Sequence, residues 1–357
     1  MEISEKKLYD IAFALLYRNR LPKGKQLLQA YGSSSEAWKH IDEPNMQESL
    51  NRAEKEAEFV ERHEIQCWSP TDEDYPHRLK ECPDAPLILF AKGNIRANTG
   101  RMVSVVGTRG CTERGKEMTR RLVLDLAAAL DDVTIISGLA YGIDIAAHRA
   151  ALEAKIPTII CVGHGMDRIY PAVHRREAIH ALDNGGVLSE YISGTEPDRF
   201  NFVARDRIIA GLADAVVVVE SKEKGGSLLT AQMAQDYSRS LFAFPGRIQD
   251  DTSRGCNNLI RDQKAALITS AHDLIQVMMW NAADQPRQTQ IPPVSEGMSE
   301  EESRLFNLLH ENEDGIHIND LMNSTALPYS SLISTLMMME MKGWVKSMPG
   351  NIYRTTV

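Results

Sequence analysis

The stretch Ser104-Val105-Val106-Gly107-Thr108-Arg109 is a β-branched apolar run that ends in a glycine, a hydroxyl and a guanidinium. Such a run reads as a buried parallel strand. Open α/β sheets place their ligands at the C-terminal ends of strands of this kind. Glycine lets the backbone approach a ligand closely, and arginine offers a fixed fork of donors suited to phosphate. The reading at this point is a phosphate site, with either a small nucleotide or a polymer as the ligand.

Working outward, apolar runs at 102–106, 133–137, 157–162, 186–189, 214–220 and 240–244 fit strands. Helical patterns lie between them. In 113–130, for example, Met118, Leu122 and Leu126 share a face. Alternation of this kind predicts a doubly wound, mainly parallel Rossmann-like sheet over residues 66–280, with right-handed crossovers. Before it, residues 1–65 read as a small helical domain, in which Leu8, Ile11, Ala12, Leu15 and Leu16 fall on one face. Leu21-Pro22-Lys23-Gly24-Lys25 is expected to be the turn between two of its helices. A DNA-binding hairpin needs glycines at such a turn. Gly24 alone favours a packing domain.

Residues 281–298 hold Pro286, Pro292 and Pro293 with few apolar side chains and read as a linker. Residues 299–357 predict three helices and a two-stranded hairpin around Pro349-Gly350, a winged-helix-like domain. Its four basic residues (Arg304, Lys342, Lys346, Arg354) stand against eight acidic ones, which favours contact with protein over duplex reading.

The 357 residues carry a net charge of −9, so the chain is not a general coat for nucleic acid, although a basic pocket on an acidic body is compatible with it. Five cysteines (67, 82, 111, 161 and 256) without a Cys-x-x-Cys pair argue against a disulfide scaffold or structural zinc. With no apolar signal core and no spanning run, the expectation is a soluble, cytoplasmic protein without a membrane partner.

Five glycine-bearing clusters fall at or just beyond the predicted strands. They are Gly107-Thr108-Arg109, Ser137-Gly138-Leu139-Ala140-Tyr141-Gly142-Ile143-Asp144, Gly163-His164-Gly165 with Tyr170-Pro171, Phe202-Val203-Ala204-Arg205-Asp206-Arg207-Ile208-Ile209-Ala210-Gly211-Leu212, and Lys224-Gly225-Gly226-Ser227. Glycines that open helices leave N–H groups for an anion. Arg168 occupies the place of the third glycine of a dinucleotide fingerprint, which speaks against a nicotinamide or flavin site, and no cofactor is expected. The Gly225-Gly226-Ser227 turn lacks the Gly-Lys-Ser/Thr ending of a P-loop. Asp144 and His148 lie one helical turn apart, a spacing that fits an acid–base pair and also an ordinary helix-end contact.

Taken together, these motifs, with Arg-Asp-Arg-Ile-Ile-Ala-Gly-Leu and Phe244-Pro245-Gly246, resemble the DNA-processing protein DprA (Smf) family over residues 101 to about 268. The resemblance implies a non-enzymatic protein that binds and protects single-stranded DNA. It further implies loading of the recombinase RecA despite single-strand-binding protein, a place in natural transformation and recombination, and a homodimer. Carried over by position, Gly107, Thr108 and Arg109 hold phosphate, and Gly138 with Gly225, Gly226 and Ser227 offers N–H groups. Arg205 and Arg207 supply charge, and Phe202 stacks on a base. The family pattern reads Phe-Pro-x-Arg-Asn-Arg, whereas Val203 and Asp206 depart from it here. The rival reading is a nucleoside-monophosphate phosphoribohydrolase of the lysine-decarboxylase-like group. That group's catalytic glutamate in Pro-Gly-Gly-x-Gly-Thr-x-x-Glu is replaced here by Gln232.

Overall fold

The computed structural model describes residues 4–280, 298–310, 312, 315–325, 327–348 and 352–355. Nine strands form one sheet: β1 (Gln66–Trp68), β2 (Leu89–Gly93), β3 (Arg101–Val106), β4 (Val133–Ser137), β5 (Thr158–Val162), β6 (Gly185–Ser189), β7 (Ala215–Val218), β8 (Ser240–Ala243) and β9 (Ala266–Leu267). Their order is β1-β2-β6-β5-β4-β3-β7-β8-β9. From β6 to β9 every pairing is parallel, and β1 and β2 add an antiparallel edge. The chain builds outward from β3 in one direction as far as β6 and then returns to place β7 on the other side of β3. The sheet is therefore doubly wound, with its switch point between β3 and β7.

Side chains alternate across β3. Met102 and Val106 enter one apolar cluster, and Val103 and Val105 the other. The first cluster is covered by α9 (Arg199–Leu212) and α10 (Ser227–Asp236). The second is covered by α6 (Glu113–Ala129), α7 (Ile143–Glu153) and α12 (Ala271–Val277). Each fully buried Val, Leu or Ile stabilises by about 1.5–3 kcal/mol, so the strand ends that carry the glycine motifs are rigid mounts.

Four helices, α1 (Glu5–Tyr17), α2 (Leu21–Tyr31), α3 (Ser34–Lys39) and α4 (Met46–Arg62), precede the sheet. Ile11, Phe13 and Tyr17 of α1 and Val60 of α4 share a core with Leu87, Ile88 and Phe90. Here the turn expected at Leu21–Lys25 is corrected. Those residues form the first turn and a half of α2, and the chain reverses before them. Proline is favourable in the first turn of a helix, where its missing N–H has no partner to lose. Gly24 packs against Tyr17 and Leu87 instead of facing a phosphate.

No α-helix follows Gly163-His164-Gly165 directly. The next one, α8 (Arg175–His180), begins ten residues on, so a dinucleotide fingerprint lacks its helix there. The linker 281–298 lies outside the described residues apart from Met298. Beyond it, α13 (Glu300–His310), α14 (Ile318–Thr325) and α15 (Tyr329–Met341) pack on strands β10 (Ile316–His317), β11 (Val345–Met348) and β12 (Ile352–Thr355), arranged β10-β12-β11. This second compact unit has its own core, which includes Leu305, Leu309, Leu321, Leu336 and Val345. Three helices and a sheet whose β11 and β12 pair antiparallel make a winged helix. The Pro349-Gly350 turn lies outside the described residues.

Candidate nucleic-acid interface

The loops leaving β3 and β7, the residues after β4 and the face of α9 toward them enclose a cleft of roughly 870 Å³. It opens at the switch point, where an open α/β sheet has room for a ligand. Gly107, Thr108, Arg109, Phe202, Arg205, Gly225, Gly226 and Ser227 all line it. Gly107 is required by close packing, because a Cβ there would lie 2.5 Å from Ile143 Cγ1 and 2.9 Å from the Glu220 carbonyl oxygen. The Thr108 hydroxyl accepts from Gly110 N–H at 3.3 Å, which leaves its own proton for an incoming acceptor. Ser227 opens α10 and donates its Oγ proton to Ser221 Oγ at 2.9 Å.

Arg109 is exposed, and its guanidinium lies 5.6 Å from the centroid of the Phe202 ring. Phe202 also stacks on Tyr170 at 5.8 Å and 21°. The aromatic platform is thus a Phe202–Tyr170 pair with a cation beside it, and half-exposed Tyr170, which the sequence gave as part of a motif but not as a DNA-binding residue, belongs to it.

The two arginines of Arg205-Asp206-Arg207 part company. Arg205 points into the cleft floor, is 5% exposed, and donates from Nη1 to the Cys161 carbonyl at 2.6 Å. Arg207 is not in the cleft. It donates to Glu190 at 2.6 Å and lies 3.8 Å from Asp84. Two residues along a helix is about 200° around it, so the pair cannot share a face. That spacing was visible in the sequence. Gly138 lies beneath the Arg205 guanidinium and the Asp144 carboxylate, where any Cβ would overlap them. It makes room for the buried charges and does not line the open cleft.

Three rim cations complete the cleft: Arg199 and Lys222, which the sequence did not single out, and Lys224, which it gave only as the start of the Gly225-Gly226-Ser227 motif. All are exposed, and none has an ionic partner among the described residues. Arg199, Phe202, Val203 and Asp206 follow the i, i+3, i+4, i+7 spacing of one face of α9, which was a usable signal.

Beneath the rim sits a buried ionic group. Asp206 Oδ1 lies 3.3 Å from Arg205 Nε. Burial pushes the Asp206 carboxyl up to about 6, opposed by Arg205 and reinforced by Asp144. Burial also raises Asp144 against the pull of Arg205. His148 does not pair with Asp144. It contacts the Gly138 carbonyl oxygen at 2.5 Å and Thr158 Oγ1 at 2.7 Å, and burial pushes it down to about 4. Gln232 is exposed and donates to Asp236 at 2.9 Å.

Against known proteins, residues 66–279 match the family described as DNA recombination-mediator protein A, and residues 285–351 match the DprA winged helix domain. The chain belongs to the DprA family. A DNA processing protein DprA of Streptococcus pneumoniae is 42% identical over 208 residues, which is 58% of this chain and 72% of that protein. Protein Smf of Escherichia coli is 31% identical over 334 residues, 88% of each chain. The X-ray structure of DprA from S. pneumoniae superposes with a TM-score of 0.65 at 33% identity, covering 77% of this chain and 98% of that one. DprA from Helicobacter pylori, solved in a study of its unique single-stranded DNA binding mode, gives a TM-score of 0.54 at 29% identity. It covers 60% of this chain and 96% of that one. The DprA resemblance read from the motifs and the Rossmann-like sheet with a winged helix both stand.

Proposed function

We propose that this chain binds single-stranded DNA in the switch-point cleft, protects it, and helps load RecA onto it against single-strand-binding protein during transformation and recombination. The observation that carries the reading is the set of two glycine-hydroxyl turns, Gly107-Thr108-Arg109 and Gly225-Gly226-Ser227, facing one open cleft with a cationic rim and with Phe202, whose stacking partner Tyr170 lines the adjoining cavity. Backbone N–H groups, the Thr108 hydroxyl and arginine hold phosphate without reading sequence. Aromatic faces accept any base. The H. pylori relative, solved in a study of its single-stranded DNA binding mode, supports the same ligand class.

The role is a binding one, with no chemical step, no cofactor and a homodimer as the working form. Gln232, facing solvent, offers no carboxylate in place of the phosphoribohydrolase glutamate. Asp144 and His148 are held apart by their own partners. Among the described residues no cluster of three His, Cys, Asp or Glu side chains is arranged to hold a metal, and no helix is long and apolar enough to cross a membrane.

The loader role has a direct test. RecA filament growth on a strand coated with single-strand-binding protein should accelerate when this chain is added. An unchanged lag, with single-strand binding intact, would remove the loader role and leave the binding role.

The winged helix contributes little to binding in this account. Its third helix, α15, carries no Lys or Arg and exposes Tyr329, Met337, Met338 and Met341. Deleting residues 299–357 should therefore leave oligothymidine affinity within about two-fold, since phosphate contacts dominate such affinity. A larger loss on gel-shift titration would place part of the DNA site on the tail.

A further inference from the structure

The loop that presents Arg109 is fastened at both ends by one residue that does not line the cleft. Thr108 N–H donates to the backbone carbonyl of Glu220 at 2.8 Å. Four residues on, the Glu220 carboxylate accepts from Thr112 N–H at 2.8 Å and from Thr112 Oγ1 at 2.6 Å. Thr112 is also the N-cap of α6, its Oγ1 accepting from Gly115 N–H at 3.0 Å. Between the two anchors stand only Arg109, Gly110 and Cys111.

Glu220 is 7% exposed at the end of β7, so its charge is tolerable only because the loop supplies donors to it. On its other side lies a separate cleft of roughly 290 Å³ with Arg114 and Arg247 on its walls. Glu220 and Thr112 line that cleft too, and both carboxylate oxygens are bonded to Thr112. The bonds of that carboxylate point back at the loop.

We propose that Glu220 is a positioning residue for Arg109: through Thr112 and Thr108 it holds loop 108–112 in the shape that carries the guanidinium to a DNA phosphate. This rests on the single-strand reading of the cleft. The anchor joins β7, which bears the Gly225-Gly226-Ser227 turn, to the loop after β3. It thus fixes the spacing between the two halves of the phosphate site. A flexible loop would have to be ordered at each binding event, and that cost comes out of affinity.

The test crosses Thr112 with Arg109 in the full chain. Thr112 is exposed, so its replacement should keep the fold while costing the α6 cap and one donor to Glu220, a loss that a thermal melt measures. Thr112→Val removes the hydroxyl that binds Glu220, whereas Thr112→Ser keeps it. With a labelled oligothymidine, Thr112→Val should weaken binding at least about five-fold and Thr112→Ser by less than about two-fold. In an Arg109→Ala background, Thr112→Val should cost nothing further, because the guanidinium it positions is gone. Hydrogen exchange at 109–111 should quicken in Thr112→Val while exchange in β3 stays unchanged. Equal losses in both backgrounds, or wild-type affinity of Thr112→Val, would overturn the positioning role. A wild-type chain that ignores oligothymidine, or an Arg109→Ala that binds unaltered, would instead overturn the cleft reading beneath it.

Discussion

Arg109→Ala is expected to weaken binding of a short oligothymidine at least about ten-fold while leaving the melting curve in place, since a charge-assisted contact to phosphate is worth about 1.5–3 kcal/mol. Arg109 is exposed on a loop and makes no hydrogen bond that holds the fold, so its loss falls on the ligand. The slope of log affinity against log salt should drop by about one, because one fewer counterion is released. Arg109→Lys should retain the salt slope and lose only part of the affinity, as the charge stays and the fork goes. Arg205→Ala is a different experiment. That guanidinium is buried against Asp206 and bonded to the Cys161 carbonyl. Removing it leaves the buried Asp144 and half-buried Asp206 carboxylates without their cation, and the expected result is a less stable protein. Oligothymidine titrations of Arg109→Ala across a salt series decide the first point, and unchanged affinity with unchanged slope would take Arg109 out of the site.

The second large effect belongs to Asp206 and is read against pH. Its carboxyl is pushed up to about 6 by burial, with Arg205 on its own helix, Asp144 on α7, Arg109 on the β3 loop and Thr230 on α10 around it. A carboxyl whose pKa rises on folding holds its proton more tightly in the folded chain than in the unfolded one. Its contribution to stability is complete below about pH 4, where both states are protonated. It is lost as pH climbs through the folded value of about 6. The loss reaches up to about 3 kcal/mol on the plateau. Asp206→Asn should therefore gain melting temperature over wild type as pH rises from 4 to 7, then hold a constant lead. An arriving phosphate disfavours the Asp206 charge further, so wild-type DNA affinity should fall between pH 5.5 and 8 and the Asn variant should be flatter and tighter at pH 8. His148, pushed down to about 4, does not titrate in that window. A weaker Asn variant at pH 8 would mean that the carboxylate orients Arg205 for the ligand.

Much of this architecture was legible because the signals were local. The Val-rich runs gave strands within a residue or two of those observed, for example 102–106 against Arg101–Val106 and 133–137 against Val133–Ser137. The glycine turns converge because they follow adjacent parallel strands. What sequence motifs did not carry was direction around a helix and depth. Arg205 and Arg207 look equivalent in a motif, yet α9 sends one into the cleft and the other to Glu190. Leu21–Lys25 reads as a turn from its proline and glycine, although proline in a first turn is as good a helix signal. Lys222 escaped notice because a single cation on a loop forms no pattern until the cleft gathers it with Lys224 and Arg199, and Arg199 because its helical spacing with Phe202 and Asp206 was not followed. Glu220 was invisible for a related reason. Its partners, Thr108 and Thr112, are more than a hundred residues away in the chain and meet it only across the β3–β7 pairing.

The account stands or falls on one comparison, fluorescence anisotropy of a labelled oligothymidine and of a duplex of equal length, each titrated over a salt series. It predicts salt-sensitive binding of the single strand with clear preference over the duplex, because the cleft accepts splayed bases on Phe202 and Tyr170 and recognises phosphate without reading a groove. Equal affinity for the duplex, or no binding of either, would contradict it and return the Gly107-Thr108-Arg109 cleft to a small nucleotide.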